Sequence, residues 1–476
     1  MKSKLMKGAL FVTIATFFVK ILSIVYKIPY QNLTGDKGFY IYQQMYPLFA
    51  LVVATSSFAN PLAISETITQ KKMMEKTISS SLFFIFSISL LLSLVIVILN
   101  PYLGFIMGDR NLSSLFYPLI PVLLIVPIIS IVRGYFYSNV HTINQVGISI
   151  ISEQLFRVLF IIFILYLYYN VIIIDLYQVA KYSFYGFSIG LFMALVIVLH
   201  KFNIKLIHIR YVNLQVGLKI IKRSLFLLIS ASLLLFLQLI DSLTITKQLT
   251  HIMSLQEAMV VKGIYDRGLP IIQSAIFFVS PLLSSIIPHI QKKDFSKLIL
   301  FILYLSLPAM IGLIFVLKDL NVLLFNDGKY TYVLQVSAII VLLYSLFLTF
   351  SAITKDHKRL TIIIILGLVI KTSGNLILID EMGIVGASLS SVASVLFMLV
   401  FIIILNREFI QVQYQLLFKI MTSCGVMSGV LLLSIFIPSL NHLFIKILLG
   451  ISSYFGASYI LKIEKSDFMI KYTSDA

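Results

Sequence analysis

The stretch QVGISIISEQLFRVLFIIFILYLYY, residues 145–169, decides what kind of protein this is. As a helix it is long enough to cross about 30 Å of hydrocarbon, which takes roughly 20 apolar residues. Only Glu153 and Arg157 interrupt it with charge. A charge at the centre of a membrane helix costs about 2.5–3.5 kcal/mol on an insertion scale, so the two need a reason to be there. Their i,i+4 spacing puts them on one helix face. Two readings follow: the pair neutralises itself and fixes helix packing, or Arg157 is a cavity cation and Glu153 its partner.

The rest of the chain resembles this stretch. It is 59% hydrophobic and 12% charged over 476 residues, where a soluble domain is about 25% charged. About fourteen apolar runs of spanning length can be marked. They fall at roughly 8–27, 38–65, 79–99, 112–137, 145–168, 174–199, 219–245, 268–289, 298–317, 330–353, 360–379, 383–405, 414–437 and 442–461. The expected fold is an all-α integral membrane protein of about 14 transmembrane helices. It comprises two six-helix bundles with a pseudo-twofold relation and two C-terminal helices. The expected divisions are a first lobe at 1–199, a cytoplasmic interfacial linker at 200–218, a second lobe at 219–406, and the last two helices with a tail at 407–476.

The net charge of +18 does not point to nucleic acid. Lys and Arg recur as short clusters between apolar runs and form no basic stripe. More than half of the 37 fall in alternate loops, the positive-inside pattern with both termini in the cytoplasm. The basic start of the chain reads as a retained first span, because no small-residue cleavage site follows it. The segment between runs six and seven alternates basic and apolar residues, which suits the anionic inner leaflet. Cys424 is the only cysteine, so no internal disulfide and no cysteine metal site can form. No GxxxxGK[ST], no HExxH and no long outer loop exists, so neither an ATPase, an enzyme site nor a bound metal is expected. GFSIG, with Gly186 and Gly190, and GVMSG, with Gly425 and Gly429, are expected to let helices approach closely.

Charge inside the runs supplies the candidate site. Lys20, Arg157 and Lys371 each lie about eleven or twelve residues into a run, near the bilayer midplane. Lys27 and Asp241 lie late in the first run of their halves. Arg157 and Lys371 are separated by as many residues as Lys27 and Asp241, a sign of an internal repeat. Arg133 is expected to reach the interface by snorkelling. Lys20 and Lys371 have no carboxylate within a turn of their own helix, so a cavity facing anionic cargo is favoured for them. Intramembrane cations outnumber intramembrane carboxylates, which favours an anion path.

Several stretches together resemble the lipid-linked oligosaccharide flippases of the multidrug/oligosaccharidyl-lipid/polysaccharide (MOP) exporter superfamily, in the MurJ and stage V sporulation protein B branch. They are YKIPYQNLTGDKGFYIYQQMYPLF (26–49), NPLAISETI (60–68), RGYFYSNVHTINQVGISIISEQLFRV (133–158), LQLIDSLTI (237–245), GIYDRGLPIIQ (263–273), SSIIPHI (284–290) and IKTSGNLILIDEMGIVGASLSS (370–391). The resemblance implies a central cavity that opens alternately to each side, and an apolar groove on the last two helices for a polyprenyl tail. It implies that Lys20 and Lys27 contact a pyrophosphate-sugar head group, standing where Arg is commoner. Its EQxFRV pattern falls on Glu153, Gln154 and Arg157, and its DRGxP pattern on Asp266, Arg267 and Pro270. Glu66 stands where the family usually has Lys, and Tyr137-Ser138 where it has Gln-Gly; these departures bear on the cargo.

The expected function is therefore a flippase for a polyprenyl-pyrophosphate-linked saccharide, with Lys20, Lys27, Glu153, Arg157, Asp241, Asp266, Arg267 and Lys371 at the substrate. It is not expected to be an enzyme or to carry a cofactor. Drive is expected from the membrane potential, H+ or Na+. The partners are the glycolipid and membrane lipids, and the working form a monomer, with cell-wall synthesis enzymes as possible neighbours in the plasma membrane. Three alternatives stay open. A cation-coupled multidrug antiporter would use Glu153 or Asp241. A membrane glycan polymerase or transferase would use an outer carboxylate such as Asp266. A non-transporting relative would act as a scaffold.

Overall fold

The computed structural model describes residues 2–468 apart from 69–70, 140, 203–205, 278, 280–281, 284–293, 355, 410–412 and 438–441. Among them the regular structure is helical. In order come α1 (Lys2–Val25), α2 (Lys27–Ala54), α3 (Asn60–Thr67), α4 (Lys71–Ile106), α5 (Leu119–Tyr137), α6 (Asn144–Tyr169), α7 (Leu176–Leu199) and α8 (Leu214–Ala231). Then follow α9 (Leu233–Ile252), α10 (Leu255–Ile276), α11 (Phe295–Phe325), α12 (Thr331–Ile353), α13 (His357–Met382), α14 (Ile384–Leu405), α15 (Tyr414–Phe436) and α16 (Leu443–Ile460). Where polar residues punctuate the apolar runs they cap helices. Asp175, Asn213 and Asp356 accept from the N–H of Tyr177, Val216 and Arg359 at the starts of α7, α8 and α13.

Among the described residues eleven stretches are long and apolar enough to cross a membrane, and a twelfth is reached when a bent pair is counted as one. One of the eleven, Phe11–Thr67, holds the first two expected runs. The expected run at 268–289 and the SSIIPHI stretch lie wholly or partly outside the described residues. α4, the longest helix among the described residues at 36, leaves Phe83, Leu91, Leu94 and Ile98 exposed. Exposed leucines at that density belong against lipid.

The expected run at 219–245 is not one straight helix. It breaks at Ser232 (φ −113, ψ 23) into α8 and α9, bent by 79°. α8 is amphipathic. It buries Gly217, Ile220 and Ser224 against α3 and α4, and exposes Leu218 and Leu225 beside Lys219 and Lys222. The basic-apolar alternation of the preceding segment therefore continues into α8, as far as Arg223. α2 is kinked as well. Gly35 (φ 67, ψ −177) holds a conformation open in practice to glycine alone.

The chain divides into two compact units, Met1–Gly263 and Ile264–Ala476. In the first, α6 packs along α7 and α1, and α2 packs on α7 and α9. Its core is rich in aromatic residues: Tyr30, Phe39, Tyr42, Phe49, Phe184 and Phe187 are essentially inaccessible. In the second, α13, α12 and α14 pack together, and the α15–α16 hairpin lies against α11. There Cys424, Met427, Leu431 and Tyr454 meet Tyr304, Leu307, Ile311 and Phe315.

The two GxxxG motifs behave differently. A Cβ on Gly190 would overlap the carbonyl oxygen of Glu153, and one on Gly186 would stand 3.2 Å from that of Arg157. The first motif thus seats α7 directly on the charged turn of α6. Gly425 and Gly429 have open space around them, so the second does not serve a close approach among the described residues. Gly190→Val is expected to cost about 1–3 kcal/mol through overpacking and to lower the thermal midpoint followed by circular dichroism. Gly425→Val should leave that midpoint within experimental error of the parent, and an equal loss in both would contradict the assignment.

Candidate functional site

In the first unit the charged turn of α6 meets the end of α5. Glu153 accepts from the guanidinium of Arg157 at 2.9 Å through one carboxylate oxygen and from that of Arg133 at 2.8 Å through the other. Arg133 has no exposed side-chain surface. It therefore does not snorkel, contrary to the expectation from its place near a run end. Its Nε donates to Ser149 at 2.9 Å, and another nitrogen donates to the Ser56 carbonyl and the Ser57 hydroxyl, both at 3.3 Å. Ser56 lies in a π-helical turn, Thr55–Ala59, whose displaced carbonyls need donors from outside the helix. Hydrocarbon offers none, so Arg133 closes this turn and holds Glu153 at once.

The result is a buried cluster of two cations and one anion with a surplus of one positive charge. Arg157 is the member with capacity to spare. One terminal nitrogen is bound to Glu153, and its buried Nε has no hydrogen-bond partner among the described residues. Its guanidinium lies 4.4 Å from the centroid of the Phe187 ring. Lys27, 6% exposed, lies 3.6 Å from the centroid of Tyr46. Tyr46 and Phe187 meet edge to face at 6.4 Å. Both cations thus rest on one aromatic partition, an attraction that strengthens as water is withdrawn. The partition extends through Phe49, Phe184 and Tyr42, with Phe184 stacked on the other two at 4.3 and 4.8 Å. The hydroxyls of Tyr26 and Tyr42 meet at 2.7 Å behind it.

Lys20 stands one turn before Ser23 on α1, half-buried. Ser23 receives a 3.0 Å bond from Gln154, so the Lys20 turn and the Glu153 turn belong to one helix contact. Asp241 is buried on α9, next to Ser242. The Ser242 carbonyl accepts from Gln44 of α2 at 3.1 Å.

The second unit holds the other three candidates. Arg267 is buried. It donates to the Asp327 carbonyl at 3.3 Å, pairs with the Asp327 carboxylate at 3.2 Å, and lies over Phe325. Asp327 lies in the turn between α11 and α12. Burial works against its charge, but the Lys329 N–H and the Arg267 guanidinium outweigh burial and hold its carboxyl below the usual range. Asp266 is buried beside Arg267. Lys371 is fully buried between α13 and α14, where its ammonium donates to four uncharged oxygens.

An apolar cavity of about 280 Å³ lies between α11, α15 and α16, lined among others by Tyr304, Pro308, Gly312, Met427, Leu431 and Tyr454. At one end Lys446 pairs with Asp319 at 2.6 Å. It occupies the helices on which an apolar groove was expected.

Arg133, Tyr46 and Phe187 are the members that sequence reading missed. The only signal for the rings was spacing: Tyr42, Tyr46 and Phe49 recur on one face of α2. We expect Glu153→Gln to lower stability by about 3–5 kcal/mol, because two buried guanidiniums lose their shared counter-charge. Replacing Arg133 with Met as well should recover part of the loss in a thermal melt. Full stability in Glu153→Gln alone would remove the carboxylate from this role.

Residues 5–293 match the family described as polysaccharide biosynthesis protein. The uncharacterized membrane protein YabM of Bacillus subtilis (strain 168) is 30% identical over 82% of this chain and 77% of its own length. Lipid II flippase MurJ of the same organism is 26% identical over 41% of this chain and 39% of its own. Among solved structures, a lipid II flippase MurJ in an inward closed conformation superposes with a TM-score of 0.67 at 15% identity, covering 94% of this chain and 98% of that one. An inward-facing MATE family multidrug resistance transporter of the MOP superfamily gives 0.61 at 11% identity, over 84% of this chain and 97% of that one.

Proposed function

The chain belongs to the polysaccharide biosynthesis protein family and has the fold of MOP-superfamily transporters, and on that premise we propose that it is a flippase for a polyprenyl-pyrophosphate-linked saccharide. The observation that carries this reading is the surplus positive charge of the first unit. Arg157 and Lys27 share one aromatic partition, Lys20 lies on the adjoining turn, and Arg133 takes up one oxygen of Glu153, the carboxylate bonded to Arg157. Such a set is made for an anion with a flat, partly apolar face, as a phosphate-linked sugar offers.

Each part has its task. Arg157 offers unused donors to a phosphate oxygen. Lys27 and Lys20 contribute point charges without the directional fork of arginine, which suits a head group that must be let go again. Glu153 takes up Arg157 when no cargo is present, so the charge is not left bare between cycles. The apolar cavity at α11, α15 and α16 holds part of the tail. Arg267 and Lys371 serve the packing of the second unit instead. The antiporter alternative is disfavoured at Glu153, whose two oxygens already face arginines.

Drive comes from the membrane potential. A negative interior favours outward movement of an anion by about 2.3 kcal/mol per charge per 100 mV.

The reading is tested in cells depleted of their own lipid II flippase, with access to lipid II at the outer face as readout. Arg157→Ala should abolish rescue while the protein is still inserted. Lys27→Ala should slow flipping about 10- to 100-fold, the loss of one charge-assisted contact of ~1.5–3 kcal/mol. Full function of Arg157→Ala would sink the site. Failure of the well-expressed parent to rescue would move the cargo to another polyprenyl-linked saccharide.

A second test concerns the drive. Flipping in vesicles should fall when the potential is collapsed, and an unchanged rate after full depolarisation would reject this energetic account.

A further inference from the structure

Lys371 lies midway along α13, and its side chain has no exposed surface. Its Nζ stands 3.1 Å from Asn375 Oδ1, 2.9 Å from the Ala387 carbonyl oxygen, 3.2 Å from Ser390 Oγ and 2.6 Å from Ser391 Oγ. An ammonium has three N–H groups, so these four oxygens already outnumber its donors. The surplus marks a coordination shell more than a set of directed hydrogen bonds.

The hydroxyl hydrogens support this. Ser391 donates to the Ala387 carbonyl at 2.9 Å. Ser390 donates to the same carbonyl at 3.0 Å and is also bonded to Asn375 Oδ1. Their protons point elsewhere, and their lone pairs are left for the cation. These four ligands are a main-chain carbonyl, an amide oxygen and two hydroxyl oxygens. Hard, neutral oxygen donors of this kind replace the water shell of a small alkali cation.

The cage is also rigid. A Cβ on Gly374 would overlap Ser390, and one on Gly386 would overlap the Leu378 carbonyl. Ser394 donates to the Gly367 carbonyl at 2.7 Å, and Ser388 donates to that of Val333 on α12 at 2.9 Å. α13 and α14 are thus pinned on both sides of the oxygens, joined by the Gly383 turn (φ 60).

We propose that the α13–α14 contact is a monovalent-cation site of the sodium type, which this chain fills with its own tethered ammonium. A tethered cation cannot dissociate. This part of the second unit therefore stays in its ion-loaded arrangement, and no ion exchanges here during transport. The inference does not depend on the cargo.

The test vacates the cage. Parent and Lys371→Ala are purified in detergent, and thermal unfolding is followed by circular dichroism in sodium, lithium, potassium or choline chloride at equal ionic strength. The parent should unfold at the same temperature in all four. Lys371→Ala should be destabilised in choline and recover by about 2 °C or more in sodium, saturably. Lys371→Met fills the space with an apolar chain and should be destabilised without a sodium response. If Lys371→Ala is not recovered as folded protein, Lys371→Ser carries the same expectation, since it leaves the space open and adds an oxygen. A sodium response absent from both the Ala and Ser variants overturns the proposal. So does a parent that gains from sodium as much as Lys371→Ala.

Discussion

Glu153 holds two guanidiniums at once, and much of the first unit is arranged so that it can. A buried ion repays its desolvation only when its counter-atoms are placed for it. Arg133 arrives from the end of α5, Arg157 from the same helix one turn on, and α7 closes over the Glu153–Arg157 turn because Gly186 and Gly190 carry no side chain. The π-helical turn at 55–59 fits into the same network, since the carbonyl it displaces is closed by Arg133. Pull out the carboxylate and the α5–α6 contact, the turn before α3 and the seat of α7 all lose their reason.

The two units handle a mid-helix cation in contrasting ways. In the first, Arg157 faces a carboxylate and an aromatic ring, and its donors are not all engaged. In the second, Lys371 donates to three uncharged oxygens of the following helix. Each cation lies against the next helix in its unit, α7 or α14, at small residues. The same sign of charge is thus met by a counter-charge and a π face in one unit and by neutral dipoles in the other.

Much of the helical layout was legible because hydrocarbon is a demanding solvent. Runs marked at 145–168, 174–199 and 383–405 became Asn144–Tyr169, Leu176–Leu199 and Ile384–Leu405. The breaks were not legible. Ser232 and Gly35 interrupt apolar sequence without lowering its hydrophobicity, and what bends the chain there is decided by packing. The candidate site was half legible. The i,i+4 spacing gave the Glu153–Arg157 pair from one helix alone. Arg133 was misjudged because its partners lie on other helices, and the oxygens that meet Lys371 were not foreseen because most come from the following helix. Tyr46 and Phe187 carry no charge, so nothing in the sequence set them apart from core.

The length of α4 has a consequence of another kind. At 36 residues this helix is about 54 Å long, well beyond the roughly 30 Å hydrocarbon thickness of a typical bilayer. The stretch free of charged and amide side chains is shorter, from Thr77 to Leu99, about 35 Å, which fits that slab with a modest tilt. Glu75 and Lys76 close it at one end and Asn100 with Pro101 at the other. A handful of side chains on one helix thereby sets the depth at which the first unit rides in the lipid, and α5 and α8, packed on α4, are carried to that depth with it.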